Sequence, residues 1–85
     1  MEIGELTERA ETTARAVRRY VARGLLPAPR AGYGYEHLVR LVAIRALRAE
    51  RLGLAEIRRR LAAMSLEEIE ARLVSPDDPG ASPGR

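Results

Sequence analysis

The stretch from Ala14 to Pro27, ARAVRRYVARGLLP, constrains the fold more than any other part of this 85-residue chain. Wound at about 3.6 residues per turn, it sets Ala14, Val17, Val21 and Leu25 along one side. Arg15, Arg19 and Arg23 line the other, with Arg18 at the edge. Gly24 suits a left-handed closing turn and Pro27 bars resumption, so the helix must stop there. Thr13 is a good N-cap at its start. An apolar back of this kind has to pack on a small core. The front carries guanidinium groups, which stay charged and fork to two oxygens at once, so it suits a phosphate-bearing surface. A solvated charged face is the plainer reading of the same stripe.

The neighbouring segments decide between the two. Ile3, Leu6 and Ala10 recur at helical spacing, enough for two turns. A joint of about three residues, Glu11-Thr12-Thr13, then leads into the arginine helix, which makes a helix-turn-helix. After it runs Pro27-Ala28-Pro29-Arg30-Ala31-Gly32-Tyr33-Gly34-Tyr35. Its prolines restrict it to extended geometry and its glycines permit a tight reversal, so a small two-stranded flap is predicted, with an irregular connector as the alternative. From Glu36 to Glu50, Leu38, Leu41, Val42, Ile44 and Leu47 cover the broad arc of a central helix, which Gly53 breaks. Leu54, Ile57, Leu61 and Met64 place a fourth helix with Arg58, Arg59 and Arg60 turned outward. Ser65-Leu66-Glu67-Glu68 reads as a capping box that starts a last helix through Leu73. The expected fold is mainly α, a winged helix-turn-helix of about five short helices with a small two-stranded wing. One domain covers residues 1–74, and the Pro- and Gly-rich residues 75–85 read as a disordered tail or linker.

Composition removes whole classes of function. The chain has no cysteine and a single histidine, which excludes disulfides, thiolate zinc sites and cysteine nucleophiles and argues against a protein-only metal cage or a His-based triad. No apolar run approaches the roughly 20 residues that span a bilayer, and the N-terminus lacks a signal-peptide pattern, so a soluble, intracellular protein is expected. Neither paired carboxylates, a nucleophile–base set nor a phosphate-cradling glycine loop is present, and no enzyme activity or cofactor is expected. The net charge is +3, from 15 basic and 12 acidic residues. Every basic residue is arginine, and the arginines gather between residues 15 and 60, while acids crowd the opening segment and residues 67–70.

The ordered set of these pieces resembles the DNA-binding domain of MerR-type transcription regulators. That family opens on an I-G-E-L type helix, and here stand Ile3-Gly4-Glu5-Leu6. Its second helix carries an I-R-Y-Y type core followed by G-L-L-P, matched by Val17-Arg18-Arg19-Tyr20 and Gly24-Leu25-Leu26-Pro27. The P-x-R run and later G-Y of its flap correspond to Pro27-Ala28-Pro29-Arg30 and Gly32-Tyr33. Its closing L-G-x-x-x-x-E-I pattern is met loosely by Leu52-Gly53-Leu54-Ala55-Glu56-Ile57. The match spans residues 2 to about 62. It departs at the joint, where Ala10-Glu11-Thr12-Thr13 replaces T-G-V-S, at Arg19 in place of a tyrosine, and at Gly34 in place of a flap arginine. The flap is also shorter than the family's.

Taken together, these readings place the 13–24 helix N-terminus first in the major groove of double-stranded DNA. Arg15 and Arg19 would lie nearest base edges, while Arg18, Tyr20 and Arg23 would hold phosphates. Thr13 would cap the helix or reach a phosphate, and Arg30 and Tyr33 in the flap would touch the backbone. Tyr35 is expected to seal the flap against the core, His37 to lie at the surface or cap a helix, and Arg58, Arg59 and Arg60 to pair with Glu56. RNA polymerase, a homodimer or head-to-tail copies are the partners such a regulator implies. Two other classes stay open: a protein-interaction module docking through Leu66, Ile69 and Leu73, and a recombination-accessory or architectural DNA binder.

Overall fold

A computed structural model describes residues 1–74; the expected tail or linker at 75–85 lies outside the described residues. The elements are α1 (Ile3–Ala10), α2 (Ala14–Ala22), α3 (Tyr35–Ala49), α4 (Leu54–Ala62) and α5 (Leu66–Val74). The fifteen-residue α3 is the axis of the domain, packing against α1, α4 and α5, while α1 also packs against α2. Leu6, Val17, Ile44, Ile57 and Ile69, one from each helix, are fully buried and form the centre of the core. Burial of such side chains is the main stabilising contribution, each roughly 1.5–3 kcal/mol relative to exposure.

One device closes three of the helices. Gly24 takes φ +79°, and beyond it the Leu25 N–H donates to the Tyr20 carbonyl at 2.9 Å, tucking Leu25 back onto the end of α2. Glu11 does the same after α1 at φ 56°, with Thr12 N–H on Thr7 O at 2.9 Å. Arg51 does it after α3 at φ 68°, with Leu52 N–H on Leu47 O at 3.3 Å. These are Schellman closures, which satisfy carbonyls left over at a helix C-terminus. Only the one after α2 has the expected glycine. Gly53, expected to break α3, instead sits extended at φ −74° as the N-cap of α4, and the break belongs to Arg51.

The two-stranded wing is not formed: among the described residues there is no strand. Pro27 and Pro29 supply no N–H for a ladder. The segment instead ties to the start of the chain. Tyr33 N–H donates to the Met1 carbonyl at 3.1 Å, and the Met1 amino group donates to the Tyr33 carbonyl. Gly32 turns the chain into this pairing at φ +99°.

His37 holds the far side of the same linker. It is buried at 7 % exposure, and its Nδ1 accepts the Gly34 N–H at 3.0 Å. That bond requires Nδ1 to be bare, so Nε2 carries the proton and donates to the Pro27 carbonyl at 3.0 Å. A glycine N-cap has no side chain to offer, and His37, three residues into the turn, supplies the returning half of a capping box. At α5 the predicted box is complete: Ser65 N–H donates to Glu68 Oε1 at 2.7 Å and Glu68 N–H to Ser65 Oγ at 3.1 Å.

Candidate nucleic-acid interface

The arginine helix begins on Thr13, whose Oγ1 accepts the Ala16 N–H at 3.1 Å. Val17 and Tyr20 are its buried side chains and Val21 is half-buried. Arg15, Arg18, Arg19 and Arg23 are all exposed. None of them takes part in an ion pair among the described residues, whereas Arg9, Arg40, Arg45, Arg59 and Arg60 each hold a glutamate at 2.5–2.9 Å. The cause is in the sequence. Between Glu11 and Glu36 the chain has five arginines and no acid, and Glu11 itself, four residues before Arg15 but outside α2, pairs with Arg45 instead. Arg9, Arg40, Arg59 and Arg60 each have an acid three or four residues away, at the spacing that pairs them across one helical turn, while Arg45 takes Glu11 from across the fold.

Tyr20 lies elsewhere than on this outer face. Its ring is in the core at 6 % exposure and its hydroxyl accepts from Arg48 Nη1 at 2.9 Å. The apolar arc of α2 is broader than a one-sided stripe, and Tyr20, three residues from Val17, falls within it. Arg30 is exposed on the linker. Tyr33 is half-buried, edge-on to His37 with ring centroids 5.0 Å apart and planes at 77°. Tyr35 does not seal the linker: it is 55 % exposed and its hydroxyl reaches Glu70 on α5. That hydrogen bond, reinforced by the carboxylate charge, raises the phenol above its ordinary value.

Three arginines not assigned to the interface from sequence border it. Arg58 is not part of the Glu56 cluster, where Arg59 and Arg60 both bind the carboxylate and hold it below its ordinary value through those hydrogen bonds. The Arg58 stem lies over the end of α2: a Cβ at Gly24 would stand 3.5 Å from Arg58 Cδ. Arg45 and Arg48, from α3, flank a depression of about 290 Å³ beside the turn between α1 and α2. A sequence cannot show this neighbourhood, because it depends on where packing sets α3 beside the turn between α1 and α2. Only the spacing of Arg45 and Arg48, three apart on one helix face, is legible in advance.

Among the described residues no group of three or more His, Cys, Asp or Glu side chains could hold a metal ion. No helix there is long and apolar enough to cross a membrane. A family model described as MerR HTH family regulatory protein matches residues 1–70. No curated protein and no solved structure matches the chain.

Proposed function

The chain belongs to the MerR HTH family of regulatory proteins, and from that membership we propose that it binds double-stranded DNA sequence-specifically, with α2 in the major groove. The observation that carries the proposal is the outer face of α2: Arg15, Arg18, Arg19 and Arg23, exposed and free of internal ion pairs among the described residues. Unneutralised guanidinium groups on a helix backed by a packed core are placed to displace counterions from a duplex.

In this reading Arg15 and Arg19, towards the start of the helix, reach base edges, where arginine pairs with the acceptors of guanine. Arg18 and Arg23 hold phosphates and fix register. Thr13 is chiefly the cap of the helix, with a phosphate as the alternative partner of its hydroxyl. Tyr20, with its ring inside, reaches the backbone only through its hydroxyl. Arg30 extends the contact from the linker, and Tyr33, packed on His37, steadies that linker and touches the backbone beside it. The setting is the cytoplasm at the nucleoid, with RNA polymerase as the machinery regulated. A second copy, as a homodimer or head to tail, would double the site read. MerR HTH regulators are typically non-enzymatic, and binding alone is the chemistry proposed.

The test begins with selection of bound sequences from a random duplex pool, followed by anisotropy titrations on the winner and on mixed-sequence DNA. Arg15→Ala should lose about 1–3 kcal/mol on the selected site and relax its preference. Arg18→Ala should weaken both duplexes alike and lower the salt slope by about 1. A pool from which nothing is enriched, with binding indifferent to salt, would refute the proposal.

A further inference from the structure

Beside α2, the turn residues Glu11 and Thr12 and the α3 residues Arg45 and Arg48 enclose a depression of about 290 Å³, with Tyr20 on its wall. Ala16 and Tyr20, one turn apart, are the part of α2 that faces it. At about 100° per residue Arg19 projects only about 60° from Ala16, so the depression borders the arginine face. Its cationic groups are held differently. Arg48 gives Nη1 to the Tyr20 hydroxyl at 2.9 Å and has no acidic partner among the described residues, which leaves its remaining N–H groups uncommitted. Arg45 is bound to Glu11 at 2.7 Å, but both side chains are well exposed, so that pair is weak and exchangeable.

We infer that this depression is a seat for a DNA backbone phosphate, taken by Arg48 on the Tyr20 hydroxyl and by Arg45 once Glu11 yields it. The inference rests on the DNA-binding reading above and adds to it a second contact line, from α3. Arg48 is the pre-oriented donor: its bond to Tyr20 fixes the guanidinium plane before the strand arrives. Glu11 is the competitor, a carboxylate that occupies Arg45 while the seat is empty. The phosphate replaces the carboxylate on Arg45, so DNA affinity is tuned by the strength of one exposed ion pair.

The full chain, titrated into mixed-sequence duplex at several salt concentrations, tests this by anisotropy. Each phosphate contact contributes about 0.9 to the slope of log affinity against log salt. Arg48→Ala should lower the slope by about that amount and weaken binding by roughly fivefold to tenfold at 0.1 M salt. Tyr20→Phe should give part of that loss. Glu11→Gln, a change at an exposed position that leaves the core intact, should tighten binding a few-fold with a slope at least as steep. An unchanged slope in Arg48→Ala together with unchanged affinity in Glu11→Gln overturns the inference. If Arg18→Ala still weakens binding in that case, α2 binds DNA and only the seat is wrong; if Arg18→Ala is also silent, both readings fall. Inorganic phosphate titrated into the DNA-free protein, followed by the Arg48 guanidinium Nε–H signal, is the second arm. Saturation there without any effect of Arg48→Ala on the DNA slope would make the seat one for free phosphate and refute the DNA contact.

Discussion

His37→Phe is the substitution that most directly tests how the linker between α2 and α3 is held. Phenylalanine keeps an aromatic ring against Tyr33 but removes both nitrogens, so the Gly34 N–H and the Pro27 carbonyl each lose their 3.0 Å partner. A hydrogen bond contributes a net of about 0.5–1.5 kcal/mol. Gly34 is only half-buried and Pro27 is exposed, so water re-solvates both groups in part and the cost stays near that net value. Two bonds give about 2 kcal/mol, out of the roughly 4–11 kcal/mol expected for a domain of this size. At about 4–8 °C per kcal/mol for a small domain, the melting temperature followed by circular dichroism should fall by about 8–16 °C. His37→Gln provides the control. Glutamine at the third position of a helix accepts from the N-cap N–H, so it should recover about half of the loss by restoring the Gly34 bond alone. Nitrogen NMR of the parent should show the proton on Nε2. If His37→Phe melts with the parent protein, or if Gln is no better than Phe, the ring is packing and not a clasp, and the reasoning is wrong.

Other outcomes follow from the same geometry. Arg51→Gly should raise stability by about 0.5–1 kcal/mol, since it removes the roughly 1–2 kcal/mol cost of a left-handed non-glycine residue against the entropy that glycine adds to the unfolded chain. Urea unfolding measures it, and a loss of stability would contradict the strain argument. Thr13→Ala should cost about 1 kcal/mol by uncapping α2, visible as faster amide exchange at Ala16. Glu56 gives a pH signature: its carboxyl is held below the ordinary range by Arg59 and Arg60, so its contribution is present above that range and fades as pH falls through the lowered value. An NMR titration should find it back in the ordinary range in the Arg59→Ala, Arg60→Ala double variant.

Most of the helical frame was legible because its signals are local. The Thr13 cap, the Gly24 closure and the Ser65–Glu68 box each depend on residues within one turn, and all three stand as predicted. What escaped depends on contacts between segments. The linker was expected to pair with itself, but its prolines leave too few donors and Met1 takes the place of the second strand. Tyr20 and Tyr35 exchange the expected roles of surface and packing residue: Tyr20 turns into the core, where Arg48 meets its hydroxyl, and Tyr35 at the start of α3 stays exposed. His37 reads as a cap from its position at the start of α3, but its hold on the Pro27 carbonyl, ten residues upstream, does not show in the sequence. The end of α3 escapes for a different reason: glycine at 53 suits a break, but an arginine carries the left-handed turn two residues earlier.

Those helix endings bear on how the chain tolerates change. At Glu11 and Arg51 the backbone already sits where most side chains are reluctant to go, so glycine or asparagine at either position should be accepted and should make the domain hardier. Position 24 is the opposite case. It already has the residue best suited to its left-handed conformation, so any side chain placed there should strain the backbone and loosen the end of the arginine helix. Random mutagenesis scored by thermal survival should therefore enrich replacements at 11 and 51 and leave 24 untouched.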